Sequence, residues 1–184
     1  DFQRALRILP ALIGPGKTAA RGTARPGLYD RTGMAHSDHP NHPDATMKRV
    51  LIIDDEEPIR STMAMILQAA GYETLEADGG AAGLALAREH LPDLTFCDIN
   101  MPSMDGRAVV EAFRKDPDLV TRQIVIITGN PGHTSQRTAM NLGADDYLTK
   151  PFTAADVLQC TETRLKRADI HWRVENQALQ DLRG

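Results

Sequence analysis

The chain has 184 residues, 41% of them hydrophobic and 25% charged, with a formal net charge of −4. That balance suits a folded domain in water and argues against a nucleic-acid binder, which needs a basic surface. No apolar run approaches the roughly 20 residues of a membrane-spanning helix, and the two cysteines, Cys97 and Cys160, are too far apart for a metal-ligand spacing and suit a reducing, cytoplasmic setting.

Residues 1–46 differ from the rest. "IGPGKTAARGTARPG" and "HSDHPNHPD" are rich in Gly, Pro and polar residues and have neither helical nor strand periodicity, so this stretch is expected to be a disordered or added arm. The opening "DFQRALRILPALIG" has some amphipathic spacing, interrupted by Pro10. Met34 and Met47 are both candidate starts. "IGPGKT" does not complete a phosphate-binding loop: Ala11 stands where G-x-x-x-x-G-K-[ST] needs Gly, and no strand precedes it. His36, His39 and His42 fit a polar arm better than a metal site.

From Lys48 the pattern changes. "RVLII" is a continuous apolar run, as in a strand buried on both faces. A helix follows over "EPIRSTMAMILQAAG", with Ile59, Met63, Ile66 and Leu67 at helical spacing, Pro58 in the first turn and Gly71 at the C-cap. "YETLEA" alternates like an edge strand, and "GGAAGLALAREHL" reads as a helix despite its glycines. "DLTFC" is the third strand and "GRAVVEAFRK" the third helix. "QIVII" is the fourth strand, "SQRTAMNLG" the fourth helix, "DDYLT" the fifth strand. "TAADVLQCTETRLKR" begins the last helix, with Thr153 as N-cap and Asp156 three residues on. Alternating strands and helices imply right-handed βαβ units. The expected fold is α/β, a doubly wound five-stranded parallel sheet in the flavodoxin-like order 2-1-3-4-5, with an extended C-terminal helix.

In such sheets ligands bind beyond the carboxyl ends of the strands. Strand 1 ends at Asp54-Asp55, strand 3 at Asp98, strand 4 at Thr128 and strand 5 at Lys150. In the expected order these strands are neighbours, so five polar groups converge on one rim. Carboxylates this close repel: at ~4 Å and an effective dielectric near 20, each pair costs on the order of 4 kcal/mol. They must take up protons or bind a cation, and oxygen-only ligands in an open site suit Mg²⁺. A cation beside Asp98 would allow it to attack a phosphoryl group as nucleophile, with Lys150 and Thr128 meeting the transferred oxygens. Glu56 and Glu57 read as ordinary first-turn acids, favourable at a helix N-terminus, and Cys97 as a small buried residue.

These residues resemble the receiver domain of two-component response regulators. The match covers roughly Lys48 to Leu165: DD after strand 1, "DINMPSMDG" after strand 3, "TG" after strand 4 and "KPF" after strand 5, in that order. The resemblance implies that Asp98 is the phosphoacceptor. It implies Mg²⁺ on Asp55 and Asp98, with Asp54 close by and the Asn100 backbone carbonyl as a further ligand. It implies a histidine kinase or phosphotransfer protein as phosphate source, and a cis Lys150–Pro151 bond. Thr128 and Tyr147 would form the switch, altering the face of the fourth helix, fifth strand and fifth helix. Such a domain is not an enzyme for external substrates; it assists only its own phosphorylation and dephosphorylation. Gly129 stands where the family often has Ala, which implies open access to the phosphate and a looser loop. Asn100 and Asn130 are expected to tune the phosphate's lifetime.

On this reading residues 48–165 are the receiver and 166–184 a helical extension. Leu158, Leu165, Trp172 and Leu179 recur every seven residues, with Thr161, Ala168, Glu175 and Leu182 as poor companions. The pattern favours a two-stranded parallel helix joining two receivers as a homodimer, a stalk of the kind that leads to an output domain. Arg164, Lys166 and Arg167 read as solubilising charges rather than DNA contacts, and no nucleic-acid or membrane partner is expected for this chain. Two other readings stay open: a pseudo-receiver that scaffolds partners without phosphorylation, and a Mg²⁺-dependent phosphohydrolase with an aspartyl nucleophile. The second needs D-x-D after strand 1, which "DDEE" lacks.

Overall fold

The computed structural model describes residues 47–129, 137 and 140–181. The arm over 1–46, Asn130, residues 135, 136, 138 and 139 of the helix expected over 135–143, and Leu182 lie outside the described residues, as do the side chains of Glu175 and Leu179. The elements are β1 (Arg49–Ile53), α1 (Glu57–Ala69), β2 (Glu73–Ala77), α2 (Gly80–His90), β3 (Leu94–Asp98), α3 (Gly106–Lys115), β4 (Gln123–Thr128), β5 (Asp146–Thr149) and a final helix, here α4 (Ala154–Asp181).

All strand pairs are parallel and the order is β2-β1-β3-β4-β5, as the sequence pattern predicts. The continuous apolar runs explain why β1, β3 and β4 are central. Val50, Ile52, Leu94, Phe96, Val125 and Ile127 face α1 and α4 through Met63, Ala64, Leu67, Val157 and Leu165. Leu51, Ile53, Cys97, Ile124 and Ile126 face α2 and α3 through Leu84, Ala87, Val109, Val110 and Phe113. Each fully buried aliphatic side chain here contributes about 1.5–3 kcal/mol of hydrophobic stabilisation. β2, with its half-buried Glu73–Leu75, is an edge.

The helix ends follow the local chemistry. Pro58 occupies the first turn of α1, and Gly71, at φ +89°, closes it with its N–H on the Gln68 carbonyl. The glycines of α2 have a packing role: a Cβ on Gly83 would stand 2.3 Å from Ile53 Cδ1, so a hydrogen there lets α2 lie against β1. Thr153 and Asp156 cap α4 reciprocally, Asp156 N–H donating to Thr153 Oγ1 (3.2 Å) and Thr153 N–H to Asp156 Oδ2 (2.8 Å).

α4 runs unbroken for 28 residues, about 42 Å at 1.5 Å per residue. Its first half belongs to the domain. Val157, Thr161, Arg164 and Leu165 are buried, and Lys48 Nζ reaches Asp169 Oδ1 at 3.1 Å from the start of β1. Two readings are corrected here. Leu165 is spent on the domain's own core, so it is not free for a seam with a second helix; among the described side chains farther along, the large exposed apolar ones are Ile170 and Val174, in another register. Arg164 is not a solubilising charge: it donates to the Asp145 carbonyl (2.7 Å) and pairs with Asp146 (3.1 Å). No helix among the described residues is long and apolar enough to cross a membrane.

Candidate functional site at the carboxyl rim of the sheet

The parallel order brings the ends of β1, β3, β4 and β5 side by side. Asp54 follows β1, and its N–H donates to the Ala77 carbonyl at the end of β2 (3.1 Å). Its Oδ1 accepts the Glu56 N–H at 2.9 Å, which folds the acidic loop back on itself. Asp98 ends β3, with its Oδ2 accepting the Asn100 N–H at 2.6 Å. Thr128 ends β4 opposite Thr149, and its carbonyl accepts the Lys150 N–H at 2.8 Å.

The Lys150–Pro151 bond is cis. Lys150 Nζ lies 2.8 Å from Asp98 Oδ1, 3.0 Å from Asp54 Oδ2 and 3.1 Å from Glu56 Oε1. An ammonium carries three N–H donors, so three carboxylates match its capacity. Asp54 and Asp98 are buried and Thr128 is 1% exposed, whereas Asp55, Asn100 and Tyr147 are exposed. Of the residues expected at the rim, Asp54, Asp98 and Lys150 are thus in direct contact and Thr128 is on the adjoining strand. Asp55 is next in the chain, but its side chain makes no ion pair among the described residues. Tyr147 lies on β5 and is 39% exposed.

Electrostatics follow from this packing. Burial alone would depress the Lys150 ammonium, but the close carboxylate oxygens of Asp98 and Asp54, the charge of Asp98 and the Glu56 contact outweigh it and raise its pKa. Burial pushes the Asp54 carboxyl above its usual range, and the Asp98 charge adds to that, while Lys150 and the Glu56 N–H pull it down. The Cys97 thiol, wholly buried beside Asp98, is pushed well above its ordinary value by burial first and by Asp98 and Asp54 next. Cys97 is a core residue, as its apolar strand suggests.

Sequence reasoning missed three residues. Glu56 is not merely a first-turn acid, since it holds Lys150. Arg60, one turn into α1, donates to the Asp54 carbonyl at 2.7 Å and stands 3.6 Å from Glu76. Gly106 opens α3 against the end of β3: a Cβ there would be 2.4 Å from the Asp98 carbonyl oxygen and 2.9 Å from Ile99 Cα. Only the last had a visible signal, the glycine that ends "SMDG". Asp105 before it caps α3 by accepting the Ala108 N–H at 3.0 Å.

The all-oxygen donor set suits a hard divalent ion in kind. Asp54 Oδ2 is buried and, though at ion-pair distance from Lys150, has no aligned hydrogen bond. No three acidic, His or Cys side chains among the described residues are already drawn together as ligands; Lys150 stands between Asp54 and Asp98 instead.

A family model described as the response regulator receiver domain matches residues 50–162. The chain is 35% identical over 123 residues to the DNA-binding dual master transcriptional regulator RpaA of Synechocystis, covering 67% of this chain and 51% of that protein. It is 33% identical over 120 residues to the phosphate regulon transcriptional regulatory protein PhoB of Pseudomonas aeruginosa, covering 65% and 52%. It therefore spans about half the length of these curated relatives. Among solved structures, the chemotaxis response regulator CheY4 of Vibrio cholerae superposes with a TM-score of 0.62 at 32% identity, over 65% of this chain and 99% of that one. NtrX of Brucella abortus gives 0.68 at 28% identity, over 72% and 30%.

Proposed function

The chain belongs to the response regulator receiver family of two-component signalling, and on that premise we propose that Asp98 accepts a phosphoryl group and that the domain switches its binding face as a result. The observation that supports this most is the pairing of a nearly buried Asp98 with Lys150 at 2.8 Å, at the rim where an α/β sheet takes its ligands. A carboxylate oxygen of Asp98 attacks phosphorus. The bond from phosphorus to the donor breaks, and its electron pair leaves with the donor's imidazole nitrogen or carboxylate oxygen. A histidine kinase, a phosphotransfer protein or a small acyl phosphate can serve as donor.

Mg²⁺, held by Asp54, Asp55, Asp98 and the Asn100 carbonyl, would supply the positive charge that offsets the repulsion between phosphoryl oxygens and carboxylates. The Asn100 N–H orients the Asp98 carboxylate. Lys150 supplies a fixed cation for the developing charge, and the Thr128 hydroxyl a donor for one phosphoryl oxygen. Movement of Thr128 toward the phosphoryl group and rotation of Tyr147 would pass the change to the β5–α4 surface. The domain acts on no external substrate and works in the cytoplasm, where a kinase can reach it. Dimerisation through the outer part of α4 is part of this proposal, supported by exposed Ile170 and Val174. Intact-mass measurement after acetyl phosphate treatment tests the reading: one added phosphoryl group with Mg²⁺ and none with EDTA is expected. No gain in mass with Mg²⁺ would refute it.

A further inference from the structure

We infer that Glu56 is a positioning residue that competes with the phosphoryl group for Lys150 and so slows phosphorylation. The inference rests on the proposed role of Asp98 and deepens it. Three carboxylates share one ammonium, and they are not equivalent. Asp54 is fully buried, and its other oxygen is tied to the Glu56 N–H. Asp98 is nearly buried, and its other oxygen holds the Asn100 N–H. The Glu56 side chain is 61% exposed and comes from the solvent side of the rim, yet among the described residues its Oε1 is the acceptor aligned with a Lys150 N–H in a hydrogen bond, at 3.1 Å.

A phosphoryl group on Asp98 brings new oxygens that need a Lys150 donor, while the ammonium nitrogen is already crowded by carboxylate oxygens of Asp98, Asp54 and Glu56 at 2.8, 3.0 and 3.1 Å. One contact must be released. Asp54 is fixed by burial and by its backbone bond, and Asp98 carries the phosphoryl group itself. Glu56 is the contact that can swing into water at little desolvation cost. In the unmodified protein it therefore holds the lysine away from the incoming group, and it leaves when the group arrives.

The test compares wild type with Glu56→Gln, Glu56→Asp and Glu57→Gln, reading the rate of phosphoryl gain from acetyl phosphate and the half-saturating concentration of beryllofluoride, both with Mg²⁺. Glu57→Gln removes the same charge one residue away and reports the general field. Glu56→Asp keeps the charge but shortens the arm that reaches Lys150. The expected result is a rate gain of about fivefold in Glu56→Gln, the size of one partly exposed charge contact, with tighter beryllofluoride binding and an unchanged thermal midpoint. Glu56→Asp gains in the same direction, and Glu57→Gln stays within about twofold of wild type on the same scale. Glu56 variants that label at the wild-type rate, or a Glu57→Gln gain equal to that of Glu56→Gln, overturn the inference. Absence of labelling in the wild type overturns instead the proposal that Asp98 is a phosphoacceptor.

Discussion

Gly106 and Gly129 flank the same rim and should respond oppositely to one added methyl group. At Gly106 the new carbon would meet backbone atoms of Asp98 and Ile99, which cannot swing aside, so Gly106→Ala should cost about 2 kcal/mol in urea unfolding and weaken beryllofluoride binding by displacing Asp98. At Gly129 nothing among the described residues lies within 4 Å of the added carbon, and Gly129→Ala should fall within about 0.5 kcal/mol of wild type. Equal losses in the two variants would contradict this account of the rim. Cys160 offers a pH test. Burial first, then the nearby Asp146, raise its thiol to about 11, against a smaller opposing effect of Arg164. Because the thiolate is the reactive form, iodoacetamide should modify Cys160 slowly at neutral pH, accelerating as pH rises toward that value; fast alkylation at neutral pH would contradict the packing of α4 on β5. Single residues also mark the limit of what a sequence discloses. Asp54, Asp98, Thr128 and Lys150 were legible because each ends a strand, and strand ends are countable. Glu56 and Arg60 were not, because their roles depend on side chains reaching back across a loop from the N-cap and the first turn of α1, a contact with no periodic trace.

Elements were easiest to read where burial is two-sided or capping is local. β1 and β4 announce themselves as unbroken apolar runs, and the Thr153–Asp156 cap is written in four residues. α4 was harder. A seven-residue recurrence of Leu158 and Leu165 cannot distinguish a seam facing a partner from a stripe facing the parent sheet, since both need the same spacing; Leu165 turned out to face the sheet. The same ambiguity hid Arg164, whose charge suggests water until β5 supplies Asp146 and a carbonyl. Burial decides what these ion pairs are worth. Arg164→Met should destabilise by about 2 kcal/mol, because it strips a mostly buried partner from Asp146 and the donor from the Asp145 carbonyl. Asp169→Asn should cost less than about 0.5 kcal/mol, since the side chains of Lys48 and Asp169 are 41% and 50% exposed and their pair is solvent-screened. Chemical denaturation measures both, and a larger loss from Asp169→Asn would reverse the ranking on which α4 docking is explained.

At the scale of the molecule, two apolar layers hold a five-stranded sheet rigid while its rim carries charge that the layers cannot neutralise. Lys150 offsets part of it in the resting state, and an aspartyl phosphate with its cation would rearrange the rest. The order of strands was legible because parallel βαβ units leave few alternatives; the distribution of charge among three carboxylates was not, because it depends on distances near 3 Å. The most direct test of the central claim is to treat the protein with acetyl phosphate and Mg²⁺, reduce the acyl phosphate with borohydride and map the modified residue by peptide mass spectrometry. Conversion of Asp98, absent from Asp98→Asn, is the predicted result. Modification at another acid, or the same extent of labelling in Asp98→Asn, would contradict it.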